Sequence, residues 1–259
     1  MTKSKEEKQF YYRFLVLIII VFIVVAGKNL FTVLPADQAA ESAAISDDLV
    51  EISNQPKLIA LVPRDVILQR GIIFYPGARV DPVAYIPMLR SLAEEGIVVI
   101  IPKMPLNYAI FGINRTAEIQ DAYPQVTCWI IAGHSLGGSM AAEYAKENSY
   151  RLDGIVFVAS YPGKNTSLHG MDIQGLVIRG TNDGLVSEEE IDQVLENFPT
   201  DTKIVVLQGA NHAQFGHYGV QRGDGQATMS AEEQDAATSL AILEFVGELN
   251  GTCVESPSE

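Results

Sequence analysis

Cysteine, histidine and positive charge are all scarce in this 259-residue chain. The two cysteines, Cys128 and Cys253, stand in no CxxC pair and at no His-spaced interval that could hold zinc, so no metal site is expected. No cofactor is expected either. Lys and Arg number 18 against 32 Asp and Glu, a net charge of -14. With no basic cluster beyond the first residues, nothing neutralises a phosphate backbone, which excludes nucleic acid as a partner. Internal repeats and long low-complexity tracts are missing too. The 47% apolar content is that of a folded chain, and the length suits one α/β domain once an N-terminal segment is set aside. Cys128 lies in the apolar run VTCWIIAG. A buried thiol is the favoured expectation there, with a bridge to Cys253 as the alternative outside the cell.

The one long uncharged run is Phe14 to Gly27 (FLVLIIIVFIVVAG), preceded by Lys3, Lys5, Lys8 and Arg13 and diluted by Glu6 and Glu7. It is short for a span of roughly 20 residues, but Lys28 can snorkel and Leu30 to Leu34 can extend the helix. A single-pass anchor over 1–34 is preferred to a cleaved signal, because the small-residue cleavage pattern is imperfect. Basic residues stay on the cytoplasmic side, which sends the rest of the chain across the membrane. Residues 35–55, rich in Ala, Ser and acidic groups, read as a linker, with a first short strand at its end. The main domain is then 56–250, followed by a flexible tail, 251–259.

From Pro56 onward, short β-branched runs alternate with amphipathic stretches, the pattern of a mostly parallel sheet with helices on both faces. Strands are expected at 58–62, 71–75, 98–101, 127–132, 154–159, 176–179 and 203–207. Helices are expected at 83–95, 114–122, 136–147, 188–197 and 231–249. The connection from Ser160 to Gln174 holds no helix pattern, so no large lid is encoded there.

The segment Gly133-His134-Ser135-Leu136-Gly137-Gly138 lies directly between a strand and a helix. A serine on such a turn is pushed out at the carboxyl end of the sheet, while glycines allow close packing. Its hydroxyl needs a base, and an acid followed by a histidine come on later post-strand loops: Asp183 in GTNDGLV and His212 in GANHA. Asp172 and Asp201 follow no strand end at this place. An oxyanion needs preorganised amides, which would be those of Leu136 and, after strand 71–75, of Ala78, since Pro76 has none. Arg79, His217, Tyr218 and Gln221 are candidate substrate contacts, the last three within or beside the Gly-rich stretch that follows His212.

These blocks, with YPGARVDP at 75–82, IIPKMPLNYAIF at 100–111 and GANHAQFGHYG at 209–219, resemble the alpha/beta-hydrolase superfamily over about 71–246. Within it, they are similar to the compact, lid-poor members of dienelactone-hydrolase-like type. The resemblance implies the alpha/beta-hydrolase fold and a triad of Ser135, Asp183 and His212, with Ala78 and Leu136 as oxyanion donors. It implies a serine hydrolase acting on a small acyl substrate. The chain departs from many members at Pro76, where they carry a histidine. A non-catalytic binding module of the same fold, or an amidase, peptidase or acyltransferase, are the alternatives.

Overall fold

Central strands of a sheet covered on both faces must be apolar throughout, and the runs read from the sequence behave so. The computed structural model describes Gly27 and residues 31–249. It contains eight strands: β1 (Val50–Asn54), β2 (Leu58–Pro63), β3 (Arg70–Tyr75), β4 (Val98–Pro102), β5 (Cys128–His134), β6 (Gly154–Val158), β7 (Gln174–Gly180) and β8 (Lys203–Leu207). Every residue of β4, β5 and β6 is buried. The sheet order is β1-β2-β4-β3-β5-β6-β7-β8. Strand β2 runs antiparallel to both neighbours, and β3 to β8 pair in parallel.

Alternate residues of each strand feed two cores. On one face Ile72, Phe74, Ile130 and Val156 pack with α2 (Ile86–Glu94) and α6 (Ala231–Glu248) through Met88, Leu92, Ile242 and Phe245. On the other, Ile73, Tyr75, Ile131 and Phe157 pack with α4 (Leu136–Asn148) through Ala141, Ala142 and Ala145. α3 (Arg115–Ala122) adds Ile119 to that second core. The small residues of α4 let it lie close on the sheet. α6 begins where Ser230 and Glu233 form a reciprocal capping box, and α5 (Glu188–Asp192) begins with another, Ser187 and Glu190.

The expected helix at 83–95 is split into a 3-10 turn, Pro82–Tyr85, and α2. That at 188–197 breaks after Asp192 and resumes as a 3-10 turn, Leu195–Asn197. Pro87, second in α2, lacks the amide hydrogen that one continuous helix would donate to Val83 O.

The larger correction concerns 35–55. This segment carries a helix and a strand, and the compact unit that holds the sheet begins at Leu34 rather than Pro56. The Leu34 amide donates to Arg79 O (2.7 Å), and the Asp81 amide donates to Leu34 O (3.0 Å). Helix α1 (Gln38–Ala43) is capped by Asp37 and buries Ala40, and β1 adds an edge to the sheet. The strand is the short one expected at the segment's end, whereas the Ala- and acid-rich composition hid the helix, because a single buried alanine and a carboxylate cap are enough to seat it. Cys128 is fully buried but disulfide-bonded, which corrects the free thiol expected for it; Cys253 lies outside the described residues. The membrane anchor read at 1–34 lies outside them too, apart from Gly27 and 31–34, as does the tail, 251–259. Among the described residues no helix is long and apolar enough to cross a membrane.

Candidate active site

Parallel strands deliver their carboxyl ends, and the loops that follow, to one edge of the sheet. Tyr75 of β3 pairs with Gly133 of β5, and Gly180 of β7 with Leu207 of β8. The loops that carry Ala78, Ser135, Asp183 and His212 all leave that edge.

Ser135 sits between β5 and α4 with φ 53° and ψ -127°, a strained conformation for a residue with a Cβ. The turn is pinned on both sides of the serine. Its amide donates to Val158 O (3.1 Å), and its carbonyl accepts from Ser160 Oγ (2.6 Å) and the Gly138 amide (3.0 Å). A Cβ on Gly133 would come within 2.5 Å of the Gly137 carbonyl carbon, so the strand can meet the helix this closely only through glycine. The Ser135 hydroxyl itself has no hydrogen bond among the described residues and is not bonded to His212.

Asp183 and His212 are brought together. Asp183 Oδ2 accepts from His212 Nδ1 at 2.9 Å, with both side chains almost wholly buried. The other carboxylate oxygen accepts from the amides of Leu185 and Val186, both at 2.8 Å. An ionised carboxylate with three donors can be buried and still be satisfied. The His212 ring lies 4.5 Å, centroid to centroid, from that of His134, the residue before Ser135. Burial, aided by His212, holds the His134 imidazole well below its usual pKa.

In the loop after β3, the Gly77 amide donates to Tyr85 Oη (2.9 Å) and that of Arg79 to Asn107 O (2.7 Å). The Ala78 amide between them donates to neither, and Leu136, at the first position of α4, has no intrahelical acceptor for its own. Arg79 has φ 66° and is half-buried.

His217 is not free to meet a substrate. Its ring lies between Asp235 (Nε2 to Oδ2, 2.8 Å) and Asp37 (Nδ1 to Oδ2, 3.4 Å), and its backbone holds Ala84 O and the Asp37 amide. The hydrogen bond to Asp235, opposed by burial and helped by both charges, raises its pKa. Tyr218 is buried beside His134, and its hydroxyl donates to Gln221 Oε1 at 3.1 Å.

Sequence reasoning missed Asp224. Its Oδ1 accepts from the amides of Gly184 (3.1 Å) and His212 (3.2 Å), and its Oδ2 from that of Ala213 (2.8 Å). One carboxylate thereby fastens the Asp183 and His212 loops to the Gly-rich stretch 215–229. Gln234, fully buried on α6, backs the same loop by exchanging two hydrogen bonds with the Asn211 backbone. No local pattern marks either residue, because these partners are backbone groups distant in sequence. A surface groove lined by Tyr150, Leu152, Ile173 and Thr200 lies at the opposite edge of the sheet and plays no part in this constellation.

A family profile described as the alpha/beta hydrolase family matches residues 71–236. Among solved structures, the fold is similar to that of MGS-MChE2, an alpha/beta hydrolase enzyme from the metagenome of lagoon sediments at Mar Chica, Morocco. The TM-score is 0.58 at 15% identity over 77% of this chain and 99% of that one. It is also similar to the carboxylesterase CesB of Bacillus subtilis (TM-score 0.54, 11% identity, 80% and 94% covered). A third is XC6422 of Xanthomonas campestris, an a/b serine hydrolase without lid (0.52, 15%, 78% and 97%). A search of curated proteins found no significant match. The strand order, the strained serine between β5 and α4 and the matched profile agree: this chain belongs to the alpha/beta hydrolase family.

Proposed function

We propose that this protein hydrolyses carboxylic esters through an acyl-enzyme on Ser135. The observation that carries the reading is the buried Asp183-His212 hydrogen bond at the same sheet edge as a strained, half-buried serine turn. In this scheme His212 takes the Ser135 proton as the hydroxyl attacks the acyl carbonyl, and the amides of Leu136 and Ala78 meet the oxyanion. His212 then returns the proton to the leaving alcohol and activates water for deacylation. Asp183 fixes the tautomer that leaves Nε2 unprotonated and facing the serine. The separation of Ser135 Oγ from His212 in the free protein is in keeping with catalytic hydrogen bonds that tighten only around substrate. Similarity of fold to a carboxylesterase supports an ester over an amide.

A fluorophosphonate probe, which needs an activated serine, should label the folded protein at Ser135 with one adduct per chain, read by intact-mass and peptide spectrometry. Folded protein that takes no label would favour the binding-module alternative.

The reading extends to location. An N-terminal anchor with cytoplasmic basic residues would place the domain outside the membrane, and the disulfide at Cys128 supports this, since such bonds persist in oxidising compartments. Protease added to intact cells should then digest the domain; full protection would contradict it.

A further inference from the structure

Two fully buried polar side chains take no part in the steps above: Tyr85, at the end of the 3-10 turn before α2, and His134, next to the nucleophile. The Tyr85 hydroxyl accepts from the Gly77 amide at 2.9 Å and lies 2.9 Å from His134 Nδ1. His134 Nδ1 is within hydrogen-bond reach of the same oxygen, so the phenol joins the Gly77 amide to the imidazole whichever of the two side chains supplies the hydrogen. Burial keeps the pair uncharged. It pushes the Tyr85 phenol up and holds the His134 imidazole well down, so both stay neutral. His134 Nε2 is buried with no hydrogen-bond partner among the described residues.

The loop held by this pair is the one that follows β3. Pro76 has no amide to offer, and a Cβ on Gly77 would come within 3.0 Å of both Tyr85 Oη and His134 Nδ1. The same loop crosses the nucleophile turn, because a Cβ on Gly137 would come within 2.6 Å of Pro76 O.

We propose that Tyr85, anchored on His134, is the positioning residue of the oxyanion loop: by taking the Gly77 amide it commits that group to the interior and leaves the Ala78 amide to meet the oxyanion. The pair thus anchors the start of a loop whose first residue is proline. The inference rests on the ester-hydrolase reading of Ser135.

Tyr85→Phe keeps the buried ring and deletes the hydroxyl. It is expected to lower kcat for p-nitrophenyl acetate by roughly 10- to 100-fold while KM stays within about twofold, since the lost support acts where the oxyanion forms. Affinity for a phenylboronic acid, whose serine adduct presents an oxygen to the same amides, should fall by a similar factor. In 15N-labelled protein, the His134 Nδ1 resonance should move as its hydrogen-bond partner is lost. A folded variant whose kcat and boronate affinity match the wild type would overturn the proposal, whatever its melting temperature. Wild-type protein that neither turns over ester nor takes fluorophosphonate would instead remove the hydrolase reading, and this inference with it.

Discussion

Replacing Ser135 with alanine is expected to lower kcat for a simple aryl ester by roughly 10⁴- to 10⁶-fold, the scale seen when the nucleophile of an acyl-transfer triad is removed. The size follows from what is lost. Without the hydroxyl no acyl-enzyme forms, and the buried His212-Asp183 pair has no proton to take. What remains are the amides of Ala78 and Leu136, which polarise a carbonyl but cannot attack it. The fold should be indifferent to the change. The hydrogen bonds that hold the turn come from the Ser135 backbone, to Val158, Ser160 and Gly138, and alanine keeps all of them. Alanine also pays the same penalty as serine at φ 53°, so the melting temperature should match the wild type. Kinetics and thermal unfolding on the same preparation separate the two. A variant that keeps turnover within tenfold of the wild type would mean that another group does the chemistry, and the reading would fail.

Much of this arrangement is legible in the amino acids because its causes are local. A buried parallel strand writes itself as a continuous apolar run, and a tight strand-to-helix turn needs glycines flanking the serine. Asp183 and His212 stand directly after β7 and β8, so the order of elements alone carried both to the edge where Ser135 sits. The rest depends on contacts between distant segments. Asp224 looks like part of an ordinary Arg-Gly-Asp-Gly loop until the amides of Gly184 and Ala213 converge on it. His217 resembles a site residue by proximity to His212, yet Asp37, about 180 residues earlier, and Asp235 hold its ring. Asp37 belongs to the segment that composition assigns to a linker. Tyr85 reads as one more apolar position of the helix expected at 83–95, and nothing nearby in sequence reveals that its hydroxyl faces Gly77 and His134.

Gly137→Ala is the substitution expected to damage the fold most for the fewest atoms added. An ideal Cβ there would lie 2.1 Å from Tyr75 O and 2.6 Å from Pro76 O. Both are backbone atoms, at the end of a fully buried strand segment and in the loop that Tyr85 holds, so neither can swing aside as a flexible side chain would. Either α4 moves off the sheet or β3 and its loop are displaced, and each outcome separates close-packed surfaces. A loss of about 3 kcal/mol or more in urea unfolding is expected, together with loss of ester turnover, because the displaced groups carry Ser135 and Ala78. Gly247, exposed near the end of α6 with no atom within 4 Å of an added Cβ, supplies the opposite case. Alanine there should be neutral or stabilising by up to about 0.5 kcal/mol, since it only removes freedom from the unfolded chain. The contrast isolates the contact from the residue type. Equal stability of the two variants would mean that α4 does not approach β3 as closely as described, and the strained serine turn would then lose its physical cause.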